Sequence, residues 1–151
     1  MKQFFIQILG LTALIAIPSF AFAQTELEEF EEIAETMSAK MNQIFVTQRP
    51  ALVDVLPDVE WDEEFRTAGR CMLKAYRAEG GDEFVTEMLL KGREFAETEL
   101  NDFSDFQKAA DFMPDGISDE RQIDISRECG MTALTIKRME ESGLSDALRD
   151  S

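Results

Sequence analysis

The chain has 151 residues, 31 acidic against 15 basic, and a net charge of −16. It has no histidine, which excludes Ser-His-Asp and Cys-His catalysis, His-ligated zinc or haem, and the carboxylate–His di-iron bundle. Such a surface repels nucleic acid and anionic headgroups and attracts cations and basic proteins, though the same charge also serves simply to keep a protein soluble.

Residues 1–23 have the layout of a secretory signal peptide. Lys2 precedes an almost wholly apolar run from Phe4 to Ile17, Pro18 breaks it, and Ala21-Phe22-Ala23 forms an A-x-A signal before Gln24. The run is shorter than the roughly 20 residues that span a bilayer. No cysteine follows the cleavage signal, so no lipid anchor is indicated. The expectation is a cleaved leader and one exported domain over residues 24–151, with no membrane span. That domain would be periplasmic in a Gram-negative host and extracellular otherwise.

Thr25-x-x-Glu28 reads as a capping box that opens the first helix. Leu27, Phe30, Ile33, Ala34, Met37, Met41, Ile44 and Phe45 then recur at helical spacing up to about Gln48. Residues 50–61 carry Pro50 and Pro57 among Leu52, Val53, Val55, Leu56, Val59 and Trp61, an ordered apolar connector with room for one helical turn. Asp62 is the expected N-cap of a second helix over 62–79, whose inner face is Phe65, Ala68, Gly69, Met72, Ala75 and Tyr76. Gly80-Gly81 ends it. Asp82 is expected to cap a third helix over 82–100. Ser104-x-x-Gln107 is expected to open a short helix that stops before Pro114. Ser118 caps a last long helix over 119–142, and Gly143 stops it, with Leu144 placed to pack beneath the cap. No convincing strand appears. The fold class is all-α, a single-domain bundle of four to five helices. Its expected core is Phe30, Met37, Phe65, Met72, Met88, Phe95, Ile125 and Leu134.

Cys71 and Cys129 suit an oxidising compartment and are too far apart for a C-x-x-C motif. One structural disulfide is expected, worth about 4 kcal/mol in the chain-entropy model for a loop of this length. Gly69 and Gly130 stand close to the two cysteines, either to let the helices approach or incidentally.

Two charged features are candidate sites. Glu28, Glu31, Glu32 and Glu35 lie within i+3 and i+4 reach on the first helix. They form either a solvated face or an acidic face for a cation or basic partner. Their mutual repulsion predicts a gain in stability on mild acidification from pH 7 toward about 5. Arg66, Arg70, Lys74 and Arg77 line the outer side of the second helix. They are either an interaction stripe for an anionic ligand or partner, or are neutralised by acids of the first helix. Asp111-x-x-x-Asp115-Gly116 fails as an EF-hand, because Met113 and Gln122 occupy ligand positions. Met37 and Met41 read as core filler, not copper ligands. No metal, cofactor or catalytic residue is indicated. The expectation is a non-enzymatic exported protein, an adaptor or chaperone-like protein that engages a basic or cationic partner. The alternative is a carboxylate-dependent enzyme acting on envelope glycans, which needs only two suitably spaced acids.

Overall fold

The computed structural model describes residues 19–106 and 113–150, with side chains from residue 25 onward. Residues 1–18 of the expected leader, and residues 107–112 of the short helix expected from Ser104, lie outside them. The described residues form an all-α fold: α1 (Ser19–Gln48), a 3-10 turn (Pro50–Val55), α2 (Glu63–Glu97), α3 (Asp119–Glu128), α4 (Met131–Glu141) and α5 (Leu144–Arg149).

α2 is the centre of the bundle. Asp62 caps it as expected, with Oδ1 accepting from the N–H groups of Glu64 at 2.9 Å and Phe65 at 3.0 Å. It is two arms joined at Gly81, whose φ of 81° lies in the left-handed region that a side chain disfavours. The expected break at Gly80-Gly81 is thus present, as an elbow. Asp82, expected to cap the second arm, instead accepts from Arg77 Nε at 2.5 Å.

α1 runs antiparallel along the first arm. Thr25 does not open it: the chain is already helical from the first described residue, Ser19, and no breaker lies between Ser19 and Thr25. Leu27 and Ile44 are buried from its expected inner face, while Met41 is exposed. Lys40 of α1 donates to the carbonyl of Thr98 at 2.6 Å, satisfying a backbone oxygen just past the end of α2.

The core gathers Leu27, Trp61, Phe65, Met72, Leu73, Tyr76, Phe84, Val85, Met88, Leu89, Ile117 and Ile125, with Phe30 and Leu134 packed against it. Trp61 is the anchor that composition understates. Its ring meets Phe30 edge-on at 5.6 Å and lies 6.0 Å from Phe65. Its backbone N–H donates to Glu35 Oε1 at 2.6 Å, so α1 also orders the connector.

The last long helix expected over 119–142 is two helices. Ser118 caps α3, its hydroxyl accepting from the Arg121 N–H. Cys129 ends it and Gly130 turns the chain at φ 82°. Ile125, Cys129, Thr132, Ile136 and Met139, which would form one stripe on an unbroken helix, are therefore divided between α3 and α4. Ile125 is fully buried, but Ile123 and Ile136 are about half exposed, and α4 buries no residue completely. Neither helix sits centrally. Gly143, at φ 86°, ends α4 as expected, and Leu144 packs beneath it at 2% exposure.

Residues 103–106 form a 3-10 turn. Asp102 Oδ1 accepts from the Ser104 N–H at 2.7 Å, and Asp105 Oδ2 accepts in return from the Asp102 N–H. Asp102 and Asp105 thus tie the start of this turn reciprocally, while Gln107, the other half of the expected Ser104 box, lies outside the described residues.

Cys71 and Cys129 sit at disulfide distance, with Cα atoms 5.5 Å apart. Neither neighbouring glycine serves that approach. A Cβ on Gly69 would stand 2.5 Å from Trp61 Cζ3 and 3.2 Å from Leu27, so Gly69 makes room for the tryptophan. A Cβ on Gly130 would meet nothing within 4 Å, so Gly130 serves the turn.

Candidate functional site

The basic stripe and the acidic face are parts of one groove. α1 packs beside the first arm of α2, and the seam between them opens outward as a cavity of about 720 Å³. Its lining holds all four stripe cations, Arg66, Arg70, Lys74 and Arg77, with Glu26, Glu28, Glu31 and Glu63 facing them. Leu27 and Leu73 form its floor. The i, i+4, i+8 and i+11 spacing of the cations keeps them on one side of α2.

Two interhelix ion pairs close its ends. Arg66 Nε and Nη2 both donate to the Glu31 carboxylate, at 2.6 Å for the closest contact. Arg77 Nη2 donates to Glu26 at 2.5 Å while its Nε holds Asp82. Arg70 turns outward to Glu63 at 2.5 Å, a pair on its own helix with both partners at least half exposed. Lys74 has no ion pair or hydrogen bond among the described residues. Acids of α1 thus neutralise the two ends of the stripe, and its middle faces the open groove.

The four crowded glutamates separate. Glu31 holds Arg66, and Glu35 accepts from the Trp61 backbone. Glu28 lines the groove on the α1 side. Glu32 is exposed beside Glu29, which pairs with Arg93 of the second α2 arm. The acids of α1 therefore do not converge on a point, and among the described residues no group of three or more candidate ligands could hold a metal ion.

Further ion pairs outside the groove take up several other cations. Arg121 of α3 bonds Glu79 at 2.5 Å and Glu128 at 2.9 Å, and the first contact pulls the Glu79 carboxyl below its usual range. Lys91 meets Glu87 at 3.1 Å, Arg127 meets Asp124 at 2.7 Å, and Lys137 reaches Glu64 at 3.4 Å. Asp62 is likewise held low, first by the Phe65 N–H, with the Glu64 N–H and Arg138 adding to it. Tyr76 is buried, and burial pushes its phenol above the ordinary value, so it does not serve as a base near neutral pH.

Sequence reasoning missed Arg138. It follows Met131 and Leu134 on the same side of α4, and it is a hub. Its guanidinium lies 3.9 Å over the Phe65 ring and donates to the carbonyls of Asp58 at 3.2 Å and Glu60 at 2.8 Å and to Asp62 at 3.3 Å. A charged residue facing an aromatic across a loop leaves no periodic signal.

Among the described residues, no helix is long and apolar enough to cross a membrane. Comparisons with protein-family models, curated proteins and solved structures return no match.

Proposed function

We propose that this is an exported protein that acts by contact and not by catalysis, engaging a basic or cationic partner through its acidic surface. The observation that carries this reading is how the cations are used. Among the described residues, Arg66, Arg70, Arg77, Lys91, Arg93, Arg121, Arg127, Lys137, Arg138 and Arg149 all form ion pairs within the molecule. The excess of acid over base in the sequence is therefore left facing outward. Exposed Glu83, Glu94, Glu99, Glu120, Glu140 and Glu141 are part of that excess. A field of this sign steers positively charged partners and raises their association rate, and salt weakens both effects.

Export rests on the leader pattern of residues 1–23. A cysteine pair at bonding distance and the absence of a membrane-spanning helix among the described residues are compatible with it. The test is affinity capture from the native envelope at rising salt. The reading predicts partners of high isoelectric point that are released as salt rises. Capture of acidic partners only, or turnover of envelope glycan by the purified protein, would refute it.

A further inference from the structure

The α1–α2 groove is built differently from the rest of the acidic surface. Its lining is balanced, four cations against four carboxylates. The two signs are also ordered. All four cations stand on the α2 side, while Glu26, Glu28 and Glu31 come from α1 and Glu63 from the start of α2. The field therefore runs across the groove, from the α2 rim to the α1 rim.

The end pairs Arg66–Glu31 and Arg77–Glu26 fix its length at about 16 Å along α2, from the helical rise per residue. Between them the open face presents Lys74, without a partner among the described residues, and Arg70, held by exposed contacts within its own helix, to Glu63 and to Thr67 Oγ1 at 3.0 Å. Exposed contacts of that kind contribute little stability, so Arg70 is easily redirected. The floor consists of the edges of Leu27 and Leu73, extended by the methylene stems of the four long cationic side chains.

We propose that this groove holds a single-chain zwitterionic amphiphile of the lysophospholipid class, taken up as a free monomer. Its phosphate sits at Lys74 and Arg70, its ammonium group faces Glu28 on the α1 rim, and its alkyl chain lies along the floor. Charge complementarity selects that class. A simple anion matches Lys74 but must approach a molecule of net charge −16. A simple cation is drawn by the overall charge but meets the cationic rim. A zwitterion carries no net charge and aligns its dipole with the field across the groove. This site is distinct from the outward acidic surface, and its occupant is not the basic partner proposed for that surface.

The test uses the exported protein and three probes that share a dodecyl tail: dodecylphosphocholine, dodecyl phosphate and dodecyltrimethylammonium, each below its micelle concentration. Titration calorimetry is expected to give saturable one-to-one binding, tightest for dodecylphosphocholine. Lys74→Glu is expected to weaken dodecylphosphocholine at least tenfold and Lys74→Arg to preserve it. Lys74 is exposed and unpaired among the described residues, so both variants are expected to keep the helical circular dichroism spectrum. Equal binding of all three probes, or no effect of Lys74→Glu, would overturn the proposal. So would binding to phosphatidylcholine vesicles without binding of the monomer. Loss of the basic partner with the groove intact would refute the surface reading alone.

Discussion

The first arm of α2 is closed on two sides by different means, and the contrast explains what each side needs. On the α1 side an apolar seam of Leu27, Phe30, Trp61 and Phe65 is buried first, and ion pairs are laid over it. On the α4 side the helix buries no residue completely. Polar contacts through Arg138, partial packing of Met131 and Leu134, and the Cys71–Cys129 approach hold it. Area removed from water supplies the larger and less specific stabilisation. A side with little of it depends on a few directed contacts or a covalent tie.

The largest expected effect falls on the α1 side. Trp61→Ala removes the ring shared by Phe30 and Phe65 and is expected to lower stability by about 4 kcal/mol, read as the midpoint shift in urea unfolding. By contrast, Arg66→Ala on the same side removes a half-exposed ion pair that lies over the seam, and a much smaller midpoint shift is expected. If the two losses were similar, ion pairs and not the seam would be holding α1.

On the α4 side the ranking inverts, and the charged residue matters most. Arg138→Ala removes a ring contact and three hydrogen bonds and is expected to cost about 2 kcal/mol. Arg138→Lys should recover only part of that, since one ammonium cannot both stack and reach the same acceptors. Full recovery by lysine would show that charge alone is being read.

The two glycines sharpen the comparison. Gly69→Ala is expected to cost about 2 kcal/mol, because its Cβ would press into the Trp61 ring within a packed seam. Gly130→Ala meets no atom and is expected to cost about 1 kcal/mol through its positive φ alone. Restoring space with Gly69→Ala in a Trp61→Phe background should reduce the first cost and have no counterpart for the second.

How much of this was legible follows from the same physics. Caps and stops that act within a few residues were readable: Asp62, Ser118, Gly81 and Gly143 lie at or beside the expected boundaries. The α2 inner face was readable because burial on one side leaves a 3.6-residue period, and Phe65, Met72 and Tyr76 are buried as expected. Gly130 was not readable as a break, since a glycine inside an apolar pattern is equally consistent with a close approach. Trp61 and Glu35 meet across 26 residues of sequence, and such a contact leaves no local trace. The stripe was visible as a stripe. That its ends bind α1 while its middle faces a groove depends on helix placement, which periodicity does not specify.

The smallest expected effect is the pH dependence. Asp62 and Glu79 are held below the ordinary carboxylate range in the folded state. Their contribution is present above the unfolded value of about 4 and is lost as pH falls through their depressed folded values. Glu31 and Glu35 also have partners, so the repulsion expected among the four crowded acids is largely relieved. No gain is therefore expected on mild acidification from pH 7 toward about 5, and stability should fall below about pH 4. Urea midpoints across that range, with Asp62→Asn and Glu79→Gln flattening the acid limb, check the sign. A midpoint that rises on mild acidification would return the advantage to crowded acids.

The claim that the two sides of α2 are held differently is tested most directly by amide hydrogen exchange, read segment by segment, on oxidised and reduced protein. Cys71 is exposed and accessible to reductant, and its bond to Cys129 ties the α3–α4 elbow to α2. The account predicts that reduction strips protection from α3 and α4 while α1 and the first arm of α2 keep theirs. Uniform loss across all helices, or protection of α4 unchanged after reduction, would contradict it.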